Sequence, residues 1–123
     1  MSLHHDLPIY KKGRDLLQLA FQVQQQMPRA FKRTLGEKIT VHCTEMLDLM
    51  ALANATRGAE RAHHIRALLT CQRTATVLLR VCHDMRFISH KVWADSVQLL
   101  DSIGKQGGGW LKTVQPRNTA PAA

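Results

Sequence analysis

Apolar residues recur at three- and four-residue steps in four separate stretches of the chain. That spacing marks the buried face of a helix and not a strand. The first stretch predicts a helix over 8–26, with Ile9, Leu16, Ala20 and Met27 on one face and Leu17 beside them. Pro8 suits its first turn, Asp6 or Leu7 precedes it as the cap, and Pro28 stops it. A basic connector, Arg29 to Arg33, follows. Thr34 and Glu37 then have the spacing of a capping box. A second helix over 35–55 turns Leu35, Ile39, Cys43, Met46, Met50 and Ala53 inward, and Asn54, Thr56 and Gly58 mark the next loop. The longest pattern predicts a helix over 60–86, with Leu68, Cys71, Ala75, Leu78, Leu79 and Cys82 on one side.

The fourth stretch starts at Ser89, a good N-cap, and carries Val92, Leu99, Leu100 and Ile103 on its stripe. Gly107, Gly108 and Gly109 should each weaken a helix by about 1 kcal/mol relative to Ala. Yet Trp110 keeps register with Val92, Leu99 and Ile103, and Leu111 with Leu100. A flexible tail has no cause to hold that phase, so the helix is extended over 90–112. Residues 115–123, with Pro116 and Pro121, are expected to form a disordered tail. Four helices joined by short loops within 1–114 predict an all-α, antiparallel up-down-up-down four-helix bundle in one domain. A chain of 123 residues suffices for one such core.

Charge adds a second layer. Lys and Arg number 17 against 9 Asp and Glu, a formal charge of +8, which points to an acidic partner such as nucleic acid or an acidic protein surface. Aromatic residues make up only 5%, too few for a base-stacking platform. On the third helix Arg66, Arg73 and Arg80 are spaced by seven, so they form a ladder pointing away from the apolar stripe. A solvated helix back is the ordinary fate of such a run. Against it, acidic neighbours are few (Asp84 follows Arg80 by four), and apolar Leu69, Val77 and Val81 flank the arginines. Apolar and Arg side by side is the make-up of a protein interface. The connector cations Arg29, Lys32 and Arg33 lie at the opposite end of an antiparallel bundle from Lys11, Lys12 and Arg14. Charge spread in this way suits sequence-tolerant phosphate contact.

Enzymatic and metal-binding patterns are not found. Of the seven histidines (His4, His5, His42, His63, His64, His83 and His90), none falls in a His-Glu-x-x-His pattern. No CxxC spacing occurs. Cys71 and Cys82 lie about 16 Å apart along one helix and cannot bridge. Three thiols in helix interiors suit a reducing, cytoplasmic setting. Ser89 and Thr34 are more economically caps than nucleophiles. Glu37, Glu45, Asp48, Asp84, Asp95 and Asp101 fall on different faces. The expectation is a non-enzyme with no cofactor, no metal, no signal peptide and no membrane span.

Four stretches carry a family resemblance. They are Leu7-Pro8-Ile9-Tyr10; the run Met27 to Lys38, MPRAFKRTLGEK; the run Leu79 to Ser89, LRVCHDMRFIS; and Ile103-Gly104 followed by Gly108-Gly109-Trp110-Leu111-Lys112. The chain resembles the accessory variability determinants of diversity-generating retroelements. It is similar also to the related bundle proteins encoded by intervening sequences in bacterial 23S ribosomal RNA genes. Cys82 and His83 stand where the family more usually has small or aliphatic residues, and Gln106-Gly107 precedes the glycine pair.

The resemblance implies a homopentameric barrel with a basic surface. It also implies association with the reverse transcriptase and with template RNA or an RNA/DNA hybrid, in support of mutagenic cDNA synthesis. It carries Arg29, Lys32, Lys38 and Lys112 as basic family positions. Arg33, Arg66, Arg73 and Arg80 join them from geometry and charge as partner- or nucleic-acid-binding candidates. Leu69, Val77, Val81 and Trp110 are candidate subunit contacts. Two alternatives stay open from the sequence: a bundle of the ribosomal intervening-sequence type, and a protein-interaction module that binds no nucleic acid.

Overall fold

A computed structural model describes residues 3–114, with the side chain of His5 left aside; the expected tail over 115–123 lies outside the described residues. The chain is all-helical there. After a 3-10 turn (His4–Asp6) come α1 (Pro8–Gln26), α2 (Glu37–Ala55), α3 (Gly58–Asp84) and α4 (His90–Val114). The broad helix contacts are α1 with α2, α2 with α3, α3 with α4 and α4 with α1. That cyclic order, with short links between consecutive helices, is an up-down-up-down four-helix bundle.

The core is the set of apolar positions with helical phase. Leu16, Ala20 and Val23 of α1 meet Ile39, Cys43, Met46 and Met50 of α2, Leu68, Ala75, Leu79 and Cys82 of α3, and Leu100 and Ile103 of α4. Burial of such side chains contributes about 1.5–3 kcal/mol each for the larger ones. Leu17, Leu35, Leu78, Val92 and Leu99 are half-buried at the edge of this cluster, Leu47 belongs to it, and Ala62 and Ile65 are buried as well. Close approach of α1 to α2 depends on Gly13. A Cβ there would lie 2.7 Å from Leu47 Cδ2 and 3.0 Å from Met50 Cε.

The ends depart from the sequence expectation in instructive ways. Leu7 is the N-cap of α1, with Pro8 in its first turn. The expected capping box at Thr34 and Glu37 does not form. Residues Arg29–Phe31 make one helical turn and Lys32–Gly36 a π turn that runs straight into α2. Gly36, the residue before α2, is itself helical, so no extended cap residue exists for Glu37 to bridge. Thr34 Oγ1 instead donates back to the Phe31 carbonyl at 3.4 Å.

α3 begins at Gly58 and ends at Asp84, two residues earlier at each end than the pattern implied. Arg86 turns left-handed at φ 63°. Its N–H donates to the His83 carbonyl (3.0 Å), and the Phe87 N–H donates to that of Cys82 (2.8 Å). This pair of bonds is a Schellman termination. The Phe87 ring then packs on Phe31 with centroids 4.8 Å apart, tying this loop to the α1–α2 connector. Ser89 caps α4 as expected, its Oγ accepting from the Val92 N–H at 3.1 Å. α4 runs unbroken through the three glycines to Val114.

Candidate nucleic-acid interface

The seven-residue spacing on α3 does place Arg66, Arg73 and Arg80 on its exposed side. At 1.5 Å rise per residue, successive guanidinium groups start roughly 10 Å apart along the axis. Among the described residues none of the three makes an ion pair. Arg73 Nη2 reaches only the Thr70 hydroxyl, at 3.5 Å. Asp84, the nearest carboxylate in sequence to Arg80, sits 3.9 Å from His83 Nδ1 instead. These cations are therefore left to solvent or to a partner. Val77 is 61% exposed and Val81 37% exposed on the same helix, which keeps both available for contact.

The neighbours of this face point inward. Gln72 Nε2 donates to the Leu100 carbonyl of α4 at 2.9 Å. Leu69 corrects the sequence expectation in part: it is half-buried, and its Cδ2 lies 2.8 Å from where a Cβ of Gly107 would be. Leu69 thus packs on α4 of its own chain because Gly107 leaves a hollow there. Trp110 is half-buried as well. It lines a 190 Å³ recess with Leu7, Pro8, Ile9 and Gln106, and the Arg61 guanidinium lies 5.8 Å from its ring centroid.

The connector cations gather at the end of the bundle where α3 terminates. Arg29 and Arg33 are exposed and Lys32 is half-buried. Gln24 Nε2 donates to the Lys32 carbonyl at 3.0 Å and so fixes the π turn. Arg33 borders two hollows. One, of about 670 Å³, is lined by Met27, Arg29, Ala30, Lys32 and Arg33. The other, of about 570 Å³, runs between α2 and α3 past Thr34, Lys38, Val41, His42, Thr74 and Leu78. Thr74 and Leu78 are the chain neighbours of Arg73 and Val77. This groove therefore joins Arg33 and Lys38 to the α3 ladder along one side of the molecule. Lys112 is exposed but lies at the far end, near the close of α4.

Arg61 was absent from the sequence candidates and has a structural use. Its Nε donates to the Ala53 and Thr56 carbonyls, both at 2.8 Å, and Nη2 to Asn54 at 3.3 Å. It closes the C-terminus of α2, where cations and orphan carbonyls meet favourably. A cation following a helix end by six residues was the available signal. The cysteines are poor nucleophiles. Burial and the nearby Cys71 push the Cys43 thiol up to about 12, burial raises Cys82 to about 11, and burial and Glu45 raise Cys71. Glu37, Glu45, Asp48, Asp84 and Asp101 are exposed and Asp95 is half-exposed.

Among the described residues the architecture is an all-α four-helix bundle with exposed, unpaired arginines on one helix back. Residues 7–114, all four helices, match the family model described as bAvd-like, and the chain belongs to that family. Membership carries an accessory role of the Avd kind in general terms. No curated protein and no solved structure gives a significant match. None of the helices is long and apolar enough to cross a membrane among the described residues.

Proposed function

We propose that this chain is the non-catalytic accessory protein of a diversity-generating retroelement, working in the cytoplasm. It binds the reverse transcriptase and the template RNA, or the RNA/DNA hybrid, to support mutagenic cDNA synthesis. The observation that carries this reading is the α3 ladder: Arg66, Arg73 and Arg80 are exposed and free of ion pairs among the described residues. The bAvd-like match over 7–114 gives it a setting. Phosphates answer guanidinium groups with charge-assisted hydrogen bonds, and a row of arginines along a rigid helix meets a polyanion without ordering cost in the backbone.

Arg29, Lys32, Arg33 and Lys38 extend the contact across the α2–α3 groove, and Lys112 adds a contact at the far end. Val77 and Val81 supply apolar contact between subunits of a homopentamer, joined by the accessible parts of Leu69 and Trp110. Reconstituted cDNA synthesis with the cognate reverse transcriptase and template RNA tests the proposal. Wild-type protein should support synthesis, and the triple charge reversal Arg66→Glu, Arg73→Glu, Arg80→Glu should abolish it while leaving the helical signal intact. Undiminished synthesis by the folded triple variant would overturn the reading.

A further inference from the structure

The α2–α3 seam contains a second feature, independent of nucleic-acid binding. His42 and Glu45 stand three residues apart on α2 and so share a side of that helix. Cys71 faces them from α3. One His nitrogen, one Glu oxygen and the Cys sulfur all lie within 4.8 Å of one another. His42 Nδ1 is fully buried and has no hydrogen-bond partner. A ring nitrogen shut away from water without a partner is costly and calls for explanation.

From this geometry we infer that His42, Glu45 and Cys71 form a zinc-class divalent metal site clamping α2 to α3. The donor set selects the ion. Thiolate and imidazole favour zinc over magnesium or calcium, which take oxygen, and a carboxylate is a poor ligand for monovalent copper. Zinc bond lengths near 2.0 Å to N and O and 2.3 Å to S put tetrahedral ligand atoms roughly 3.3–3.5 Å apart, so side chains now within 4.8 Å of one another must draw together by up to about 1.5 Å. Glu45 is exposed, and His42 also lines the groove that holds Arg33 and Lys38. Sequence spacing misses the site because His-x-x-Glu is the reverse of the di-iron order and the third ligand comes from another helix.

Titration of the reduced, chelator-treated full chain with Co²⁺ tests the site. One ion per chain should bind and produce a thiolate-to-cobalt charge-transfer band, and Zn²⁺ should displace it. Zn²⁺ should also raise the thermal midpoint of the wild type. Cys71→Ser should abolish the band, and Glu45→Gln, an exposed change that leaves the core untouched, should weaken binding by at least about tenfold. Cys82→Ser should retain both band and stoichiometry. Absence of the band in the wild type, its survival in Cys71→Ser, or unaltered affinity in Glu45→Gln would overturn the site.

Discussion

Replacing Gly13 with Ala should destabilise the bundle although Ala is the better helix former. The added methyl enters the seam between α1 and α2, 2.7 Å from Leu47 Cδ2, 3.0 Å from Met50 Cε and 3.2 Å from Met50 Sδ. Carbon atoms rest roughly 3.5–4.0 Å apart, so Leu47 must retreat by about 1 Å. Leu47 is 9% exposed and Met50 fully buried, which leaves little room for retreat. Overpacking of this kind costs about 1–3 kcal/mol, against a helix-propensity gain of about 1 kcal/mol. The net loss is about 1 kcal/mol, or about 4 °C in midpoint for a domain of this size. Gly109, where a Cβ meets nothing within 4 Å, is the internal control. Gly109→Ala should stabilise by up to about 1 kcal/mol. Urea unfolding followed by far-ultraviolet circular dichroism, at one fixed chain concentration, measures both. Leu47→Ala should remove the clash, so the Gly13→Ala, Leu47→Ala cycle should show favourable coupling of about 1 kcal/mol. A Gly13→Ala protein as stable as the wild type, or an additive cycle, would refute the packing argument.

Two further predictions concern the core thiols and a helix cap. With Cys43 held at about 12 instead of 9.0, its thiolate fraction at pH 8 falls about a thousandfold. A thiol-reactive disulfide reagent should therefore label the folded chain far more slowly at Cys43 than the unfolded one. The unfolded chain releases these protons first, so the contribution of Cys43 and Cys82 to stability is full below pH 9.0. It declines as pH rises towards their folded values of about 12 and about 11, which unfolding at stepped pH would detect. Ser89→Ala should cost about 1 kcal/mol by orphaning the Val92 N–H, and Ser89→Asp should restore most of it.

What was legible in the sequence was the phase of the apolar residues, because burial acts on every turn of a helix. Phase alone carried α4 through Gly107 to Gly109, where propensity argued otherwise, and Trp110 packs in the register it implied. The errors arose where a distant group intervenes. Gln24 holds the Lys32 carbonyl and so turns the expected cap at Thr34 into a π turn. Gly107 opens a hollow that draws Leu69 inward from the flank of the arginine ladder. Arg61 was overlooked because its partners, the Ala53 and Asn54 carbonyls, lie across a loop. The group formed by His42, Glu45 and Cys71 exists only once α2 and α3 are side by side. Spacing within a helix reports which way a side chain leaves the axis, and not what it meets.

The most direct test of the account is the salt dependence of RNA affinity. Each phosphate neutralised on a single strand contributes about −0.7 to the slope of log affinity against log salt. Contacts from Arg66, Arg73 and Arg80 with Arg29 and Arg33 should together give a slope of about −3.5. The triple charge reversal on α3 should flatten that slope by about 2. A slope near zero for the wild type, or an unchanged slope in the folded triple variant, would contradict the assignment of the α3 arginines to phosphate contact.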